Sequence, residues 1–426
     1  MLLVFSACAS DPRIYARIDN KVQSGEFEQA LAALNERRGV RGGLYSPQNN
    51  ILFYLDRGMV QHYAEIFPGS FEDLHTAEQL IEEAFTRSIT QEIGALLLND
   101  TVREYRGEDY EGLYINVFNA LNFHSMDNIE SALVEIRRLN EKLNLLADRY
   151  ERLSRRVIDS NQHLDPDQLP LEASRFSNSA LARYLGVLFY RAVGRSDSAR
   201  IDYEELQRAF SLAPEVYHHP IPSSVHEELS IPQGQGRLNV IAFTGLSPIK
   251  EEKQIIIPLP FAFPHNTARI SLPVMVNRPQ TIIRTEVVLD SGERFVLELL
   301  EDISAVARET FKSSYSLTVL RSSVRAIAKA SAAAVGAHAA REQGGDGAGL
   351  LAGILGRVFN EAVERADTRI ARFFPGQALV GGINLSPGTY AVTVNFYGHS
   401  GLINSQSEEI IVSENNLNLT RFVCLK

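Results

Sequence analysis

The stretch Pro232-Gln233-Gly234-Gln235-Gly236-Arg237-Leu238-Asn239-Val240-Ile241-Ala242-Phe243 lies where the residue pattern of the chain changes. Its proline and glycines predict a break in regular structure, and the apolar, β-branched run that follows predicts a buried strand. Before this stretch, apolar residues recur with the period of a helix; after it, short β-branched runs alternate with turn residues. The sequence therefore predicts an α+β protein with a helical first half and a β-rich second half.

Residues 13–215 are predicted to form paired amphipathic helices. Phe27, Ala30, Leu31 and Leu34 are spaced i, i+3, i+4 and i+7, which places them on one apolar face. Similar stripes, separated by turn residues, predict further helices over 50–67, 71–88, 109–123, 129–157, 179–193 and 197–212. Because short turns join these helices, we expect an array of helical hairpins in which each hairpin covers the apolar face of its neighbour.

Two turns in this half resemble those of tetratricopeptide repeats. They are Ser24-Gly25-Glu26-Phe27 and residues 194–199, each of which leads into a helix. The candidate small positions of the first helices, Gly58, Gly112 and Gly186, do not keep that family's period of about 34 residues. We therefore predict a tetratricopeptide-like array with divergent units. An unrelated helical bundle with the same order of helices is the alternative.

The second half is predicted to begin with a Pro-rich linker or covering strap over 216–236 and to continue as a small β-rich domain over 237–426. Short β-branched runs predict strands over 237–243, 253–258, 267–276, 281–289, 294–300, 377–383, 388–396, 408–412 and 418–424. The sequence Asp290-Ser291-Gly292-Glu293 predicts a hairpin turn between two of these strands.

Residues 302–374 interrupt the strands and are predicted to form a helical-hairpin insertion. Its helices are expected over 302–340 and 350–374, with a glycine-rich turn between them. Gly349, Gly353 and Gly356 lie on nearby faces of the second helix, which suits an oligomerising or membrane-touching hairpin. Close packing against the sheet is the alternative, and the many charged residues of both helices favour it.

The charge balance limits the classes of partner. The chain has 426 residues, of which 42 are basic and 52 acidic, for a formal net charge of -10. Nonspecific binding to nucleic acid requires clustered Lys and Arg that neutralise phosphates, so we expect no nucleic-acid partner. Cys8 and Cys424, at opposite ends of the chain, form neither a disulfide framework nor a metal-ligand spacing.

Residues 1–8 predict a truncated signal peptide. Phe5-Ser6-Ala7-Cys8 resembles the bacterial lipobox, in which the cysteine thiol carries a diacylglyceryl group, although Phe5 stands where leucine is usual. A start codon placed too far downstream would explain the missing basic and apolar regions. We expect lipidation at Cys8; an ordinary apolar strand with an incidental cysteine is the alternative. No later run of about 18 apolar residues predicts a spanning helix.

Candidate chemistry is sparse in this sequence, which has no nucleophile elbow, phosphate-binding glycine loop or HExxH motif. His218, His219 and His226 have no recognised metal-ligand spacing and indicate a solvated linker. The carboxylates within residues 104–111 suit the start of a helix better than acid–base catalysis. We therefore predict a protein that is not an enzyme and that has no metal or cofactor.

A set of polar residues in the helical half is the candidate partner-binding surface: Asn99, Asp100, Arg137, Arg138 and Asn140. If these side chains line the inner face of the hairpin array, they would bind an extended peptide. If they form interhelical hydrogen bonds, they would instead hold irregular repeats together. The sequence leaves both readings open.

Short motifs in a fixed order cover nearly the whole chain. They include Tyr54-Leu55-Asp56-Arg57-Gly58, residues 105–111, residues 245–252, Ala366-Asp367-Thr368-Arg369 and residues 385–390. Together they resemble an uncharacterised bacterial family of envelope lipoproteins with tetratricopeptide-like repeats. Where relatives continue the Asp-Thr-Arg motif with Ser-Trp, this chain has Ile370-Ala371. The resemblance implies a lipid anchor and the periplasmic face of the outer membrane, and it implies no activity.

From these features we expect a lipid-anchored scaffold of the cell envelope that binds a protein or peptide partner through its helical hairpins. The alternative is an oligomerising subunit of a membrane-associated envelope assembly, which would use the Ala/Gly-rich helices around Gly349.

Overall fold

The computed structural model describes residues 12–40, 43, 45–95, 104–159, 166–258, 267–327 and 365–426. Within them the chain is a mixed α+β protein, with helices in the first half and a large sheet after them. The described helices are α1 (Pro12–Gln23), α2 (Phe27–Arg37), α3 (Asn50–Tyr63), α4 (Phe67–Ala95), α5 (Asp109–Ser125), α6 (Ile129–Asp159), α7 (Ala180–Ala192), α8 (Ser196–Leu212) and α9 (303–327).

The first eight helices form a row in which each helix packs on the next. Two of the glycines singled out from the sequence lie at close helix contacts. A Cβ on Gly58 would lie 2.8 Å from Leu74 Cγ of α4, and a Cβ on Gly186 would collide with the Asp202 carboxylate of α8. A Cβ on Gly112 would meet nothing within 4 Å. The regular repeat is not confirmed, since the pairs differ in length: α5 and α6 have 17 and 31 residues, α7 and α8 have 13 and 17.

The strands form two sheets within the described residues. One has seven strands in the order β8-β7-β4-β5-β6-β1-β9, and the other is the antiparallel pair β2–β3. Their bounds are β1 (Gly236–Leu246), β2 (Ile249–Pro258), β3 (Thr267–Val276), β4 (Arg284–Leu289), β5 (Arg294–Asp302), β6 (Pro375–Leu385), β7 (Gly388–Gly398), β8 (Gly401–Val412) and β9 (Asn418–Cys424).

The seven-stranded sheet is larger than the small sheet predicted, and it nearly closes on itself. Neighbouring strands are antiparallel except β1 and β9, which are parallel. The two edge strands approach each other, and Gln406 Nε2 of β8 donates to the Val423 carbonyl of β9 at 2.7 Å. The predicted turn after β4 is confirmed: Gly292 has a φ of 105°, a conformation that favours glycine.

α5 is the central helix of the fold, buried along most of its surface and packed between its helical neighbours and the large sheet. The ring centroids of Phe118 on α5 and Phe243 on β1 lie 5.2 Å apart, and Phe118 also contacts Phe374. Burial of one such phenylalanine stabilises the fold by about 1.5–3 kcal/mol. One hydrophobic core therefore continues from the helices into the sheet.

The end of the predicted insertion is not helical, which corrects the expected helix over 350–374. Residues 365–374 run as an extended segment, and three of its backbone amides donate to carboxylates. Ala366 N donates to Glu252, Ala371 N to Glu111 and Arg372 N to Asp56, at 3.0, 2.6 and 2.7 Å. These side-chain acceptors replace the carbonyls that a helix would supply. We call residues 366–374 the anchored segment.

The Pro-rich stretch over 216–236 lies against the body of the protein as a covering strap. Val216, Tyr217 and Val225 are buried, and residues 223–227 form a short 3-10 turn. Glu228 is fully buried between Arg191 and Arg237, and its Oε1 accepts from Arg237 Nε at 2.9 Å. This strap therefore contributes an internal charged group to the fold.

Candidate binding cavity

A cavity of about 760 Å³ lies where the helical half meets the β-rich half. Its walls come from α4, α5, α6, the β2–β3 pair and α9, together with residues 104–108 and 365–367. Cavities of roughly 300–1,000 Å³ are typical of ligand sites, and they occur preferentially between structural units. This position makes the cavity the candidate site.

One face of α6 forms the longest wall of the cavity. Lys142, Leu145, Arg149, Arg152 and Arg156 all line it. Their spacing places them on one stripe of the helix, and the stripe extends about 21 Å at 1.5 Å per residue. The cations are distributed along this length, with Leu145 exposed between two of them.

The cavity carries an excess of positive charge, although the whole chain has a formal charge of -10. Its basic lining residues outnumber its acidic ones. The basic residues are Arg106, Lys142, Arg149, Arg152, Arg156, Lys250, Arg321, Arg325 and Arg365; the acidic ones are Glu78, Glu82, Glu104, Glu108, Asp109 and Asp367. An excess of one sign of charge in a cleft attracts ligands of the opposite sign.

Three of the acidic residues are bound to side chains of the same walls. Glu78 accepts from Lys142 Nζ at 2.5 Å, Glu108 pairs with Lys250 Nζ at 2.5 Å, and Asp109 accepts from Tyr150 OH at 2.7 Å. Burial raises the pKa of Asp109 to about 6, against the opposing charge of Arg149. Burial lowers the pKa of Lys250, but the charges of Glu108 and Asp367 outweigh it and raise that pKa above its usual value.

The cations of the α6 stripe differ in whether a neighbouring acid or aromatic ring already binds them. The Arg149 guanidinium lies over the Phe85 ring, and burial lowers the pKa of Arg149 below its usual value. Arg152 and Arg156 are exposed, and neither forms an ion pair within the described residues, whereas Arg155 on the other side of α6 pairs with Glu151. Two guanidinium groups at the rim are therefore available to a ligand.

Apolar side chains form the remaining surface of the cavity. Leu113 of α5, Leu153 of α6 and Leu317 of α9 are almost fully buried, and Ile81 and Phe311 are half-buried. Leu153 and Leu317 also belong to the small core cluster in which α6 packs on α9. The cavity thus combines an apolar wall with a cationic rim.

A second group of buried carboxylates lies outside the cavity and holds the two halves together. Glu111 accepts from Tyr105 OH, from its own helix start at Glu108 N and from Ala371 N. Burial raises the pKa of Glu111 to about 8 and that of Asp56 to about 7. Glu301 on β5 is fully buried, and burial raises its pKa as well. These side chains serve the fold, because hydrogen bonds to neighbouring elements take up their oxygens.

The structure separates the described residues that the sequence proposed for partner binding. Arg138 pairs with Glu78 of α4 at 2.8 Å and with Glu135 at 3.2 Å, so it forms the interhelical contact that was one of its two predicted roles. Asn140 is half-buried, and Arg137 is exposed on another face of α6. None of these three lines the cavity, but Arg138 shares its partner Glu78 with Lys142 of the cavity wall.

The other predicted site residues lie outside the described residues. These are Cys8, Asn99, Asp100, Gly349, Gly353 and Gly356. Lipidation at Cys8, partner binding at residues 99–100 and oligomerisation through the glycines remain predictions.

The His-rich strap is built into local contacts. His226 Nδ1 lies 2.9 Å from Tyr203 OH, and Glu227 and Glu228 pair with Arg237. In the described part of the chain, no group of three or more His, Cys, Asp or Glu side chains is placed to hold a metal ion. Likewise, none of the described helices is long and apolar enough to cross a membrane.

The sequence carried a signal for the cavity that the interpretation of single motifs missed. Lys142, Arg149 and Arg156 are spaced seven residues apart on a predicted helix, which puts three cations on one stripe.

Comparisons with protein-family models, with curated proteins and with solved structures found no match to this chain.

Proposed function

We propose that this protein is a non-catalytic scaffold that binds a segment of a partner protein in the cavity between α4–α6 and α9. The proposal rests on the size, shape and lining of this cavity. Its 760 Å³ and its stripe of about 21 Å suit a short extended stretch of chain better than a compact metabolite. Walls from both halves of the chain give such a segment contacts on several sides.

The polar groups of the cavity favour binding over chemistry. Glu78, Glu108 and Asp109 are held by Lys142, Lys250 and Tyr150, so these acids stabilise the walls. Catalysis would instead need an acid or base poised beside the place where a reacting atom could lie. The apolar surface that a partner's side chains would cover comes from Leu145, which is exposed, and from the half-buried Ile81 and Phe311.

The proposed place of action is the cell envelope, with Cys8 as the lipid anchor. Support comes from the lipobox-like residues 5–8 and from the order of motifs along the chain. Stable anchoring needs more than one acyl chain, which lipoprotein acylation supplies. Mass spectrometry of the N-terminal peptide from envelope fractions should find lipid on Cys8, and Cys8→Ser should release the protein from the membrane fraction. An unmodified cysteine in membrane-bound protein would contradict the anchor.

Gly112 allows a direct test of the cavity. It lines the cavity on α5, and a Cβ there would meet nothing within 4 Å, so a side chain added at this position starts from open space and extends into the cavity. Peptides selected from a displayed library on the purified chain should bind Gly112→Trp at least about tenfold more weakly than wild type, a loss of about 1.4 kcal/mol. They should bind the matched control Gly112→Ala normally. Selected peptides that bind Gly112→Trp as tightly as wild type, or a failure to select any peptide, would refute the proposal.

A further inference from the structure

We infer that the segment bound in the cavity is acidic: an extended stretch of about six residues in which carboxylates alternate with apolar side chains. This inference rests on the proposed function and specifies the chemistry of the partner. Four observations support it, namely the position of the cations, the length of the stripe, the apolar wall and the charge contrast with the rest of the chain.

The position of the cations distinguishes a peptide from a lipid. Lys142, Arg149, Arg152 and Arg156 extend along the whole stripe of α6, about 21 Å. An anionic lipid has its charge at one end and would leave most of these cations facing an acyl chain. Carboxylates repeated along an extended chain would meet them one after another.

The length and the apolar wall set the pattern of the segment. An extended chain rises about 3.3 Å per residue, so about six residues span the stripe. Successive side chains of such a chain point to opposite sides. One side would then face the cations of α6, while the other would face the apolar wall, in which Phe311 of α9 is half-buried.

The number of available cations limits the number of carboxylates. Lys142 and Lys250 are already paired with Glu78 and Glu108. Arg152 and Arg156 have no ion pair within the described residues, and Arg149 is partly desolvated beside Phe85. Two or three carboxylates would therefore be neutralised. Because the chain as a whole is acidic, its field repels such a segment from the rest of the surface and leaves the cavity as the favoured place.

Fluorescence anisotropy with labelled hexapeptides tests this inference. Leucine alternates with glutamate in the first peptide, with glutamine in the second and with lysine in the third. At about 50 mM salt, where exposed charges are weakly screened, the glutamate peptide should bind at least about fivefold more tightly than the glutamine peptide. The lysine peptide should bind most weakly. The advantage of glutamate should shrink below about twofold at 0.5 M salt.

Two double variants with the same change in charge locate the effect. Arg152→Gln with Arg156→Gln should weaken the glutamate peptide about five- to tenfold and leave the glutamine peptide unchanged. Arg155→Gln with Arg200→Gln, two exposed arginines outside the cavity, should change neither. Circular dichroism of each variant confirms that the fold is retained.

The outcomes separate this inference from the proposed function. Equal binding of the glutamate and glutamine peptides would overturn the acidic segment and leave the scaffold standing. If none of the three hexapeptides binds the wild-type chain, both the inference and the proposed function are overturned. Vesicles of anionic phospholipid that bind through Arg152 and Arg156, and that the glutamate peptide does not displace, would assign the cavity to lipid and overturn the inference.

Discussion

Replacing Glu301 with alanine removes the acceptor for four hydrogen bonds that join β5 to the helical half and to the covering strap. The carboxylate accepts from Tyr114 OH on α5 at 2.5 Å, from Ser179 Oγ at 2.9 Å, from Leu181 N at 3.2 Å and from Tyr217 OH at 2.6 Å. Each buried donor left without a partner costs about 1–3 kcal/mol. The hydroxyl groups can reorient, so we take the lower end and expect a loss of about 4 kcal/mol in the free energy of unfolding.

The glutamine variant separates the loss of hydrogen bonds from the loss of charge. Burial raises the pKa of Glu301, and Glu301→Gln keeps both the shape and one acceptor oxygen. Its amide can donate to a hydroxyl oxygen, so we expect a cost of about 1–2 kcal/mol. Urea unfolding at neutral pH, followed by far-UV circular dichroism, measures both variants.

Glu409, an exposed residue of the edge strand β8, supplies the control for this pair. Glu409→Ala should change the free energy of unfolding by no more than about 0.5 kcal/mol. A cost below about 1 kcal/mol for Glu301→Ala would refute the reasoning. A glutamine variant as unstable as the alanine variant would also refute it, because hydrogen bonding would then not be what the carboxylate contributes.

Three further predictions concern packing, pH and a buried ion pair. Gly58→Ala should destabilise the fold by about 1–3 kcal/mol, because its Cβ would press on Leu74, while Gly112→Ala should stabilise it by about 0.5–1 kcal/mol; thermal unfolding compares the two. Stability should fall as pH rises from about 6.5 to about 8.5, because burial raises the folded-state pKa of Asp56 to about 7 and that of Glu111 to about 8, so the folded chain holds protons that the unfolded chain releases. Below about pH 6.5 His62 and His124 act in the opposite direction, because burial lowers their folded-state pKa values to about 3 and 4 and stability therefore rises with pH there. Glu111→Gln should reduce the loss of stability between about pH 6.5 and 8.5, as measured by urea titrations at several pH values. Arg237→Ala should cost about 1.5–3 kcal/mol in the same urea assay, because the buried carboxylate of Glu228 loses the hydrogen bond from Arg237 but still pairs with Arg191; a change under about 0.5 kcal/mol would show that the Arg237 pair is not needed.

The strands were predictable because their signals are local. Each of the nine described strands overlaps a predicted run, and the bounds of β3 and β9 agree with the sequence. Runs of β-branched residues between turn residues specify such strands without information from the rest of the chain. The helices α5–α8 agree to within two residues at each end for the same reason, since the apolar stripe and the caps of a helix are also local. The predicted end of α3 at residue 67 was wrong: α3 ends at Tyr63, and α4 begins at Phe67 because proline fits the first turn of a helix.

The anchored segment could not be predicted, because its partners are distant in sequence. Ala371 and Arg372 bind Glu111 and Asp56, which are more than 200 residues away along the chain. An apolar, charged stretch such as 365–374 has a helical pattern, and only the tertiary acceptors make the extended form satisfy its backbone.

Only the cationic wall of the cavity could be predicted from the sequence. The seven-residue spacing of Lys142, Arg149 and Arg156 shows a cationic stripe on α6, but not which structural element faces it. The packing of α9 on α6 through Leu153 and Leu317 decides that, and α9 lies more than 140 residues further along the chain. Arg137 and Arg138, which stood out as an adjacent basic pair, point to different surroundings because neighbouring residues of a helix do not share a face.

The titration of the alternating leucine–glutamate hexapeptide against wild type, Gly112→Ala and Gly112→Trp tests the central claim most directly. The claim is that the cavity between α4–α6 and α9 is the binding site of a scaffold protein. We predict equal affinity for wild type and Gly112→Ala, and a loss of at least about tenfold for Gly112→Trp, whose indole occupies part of the space that the peptide needs. Equal affinity for all three proteins would contradict the claim.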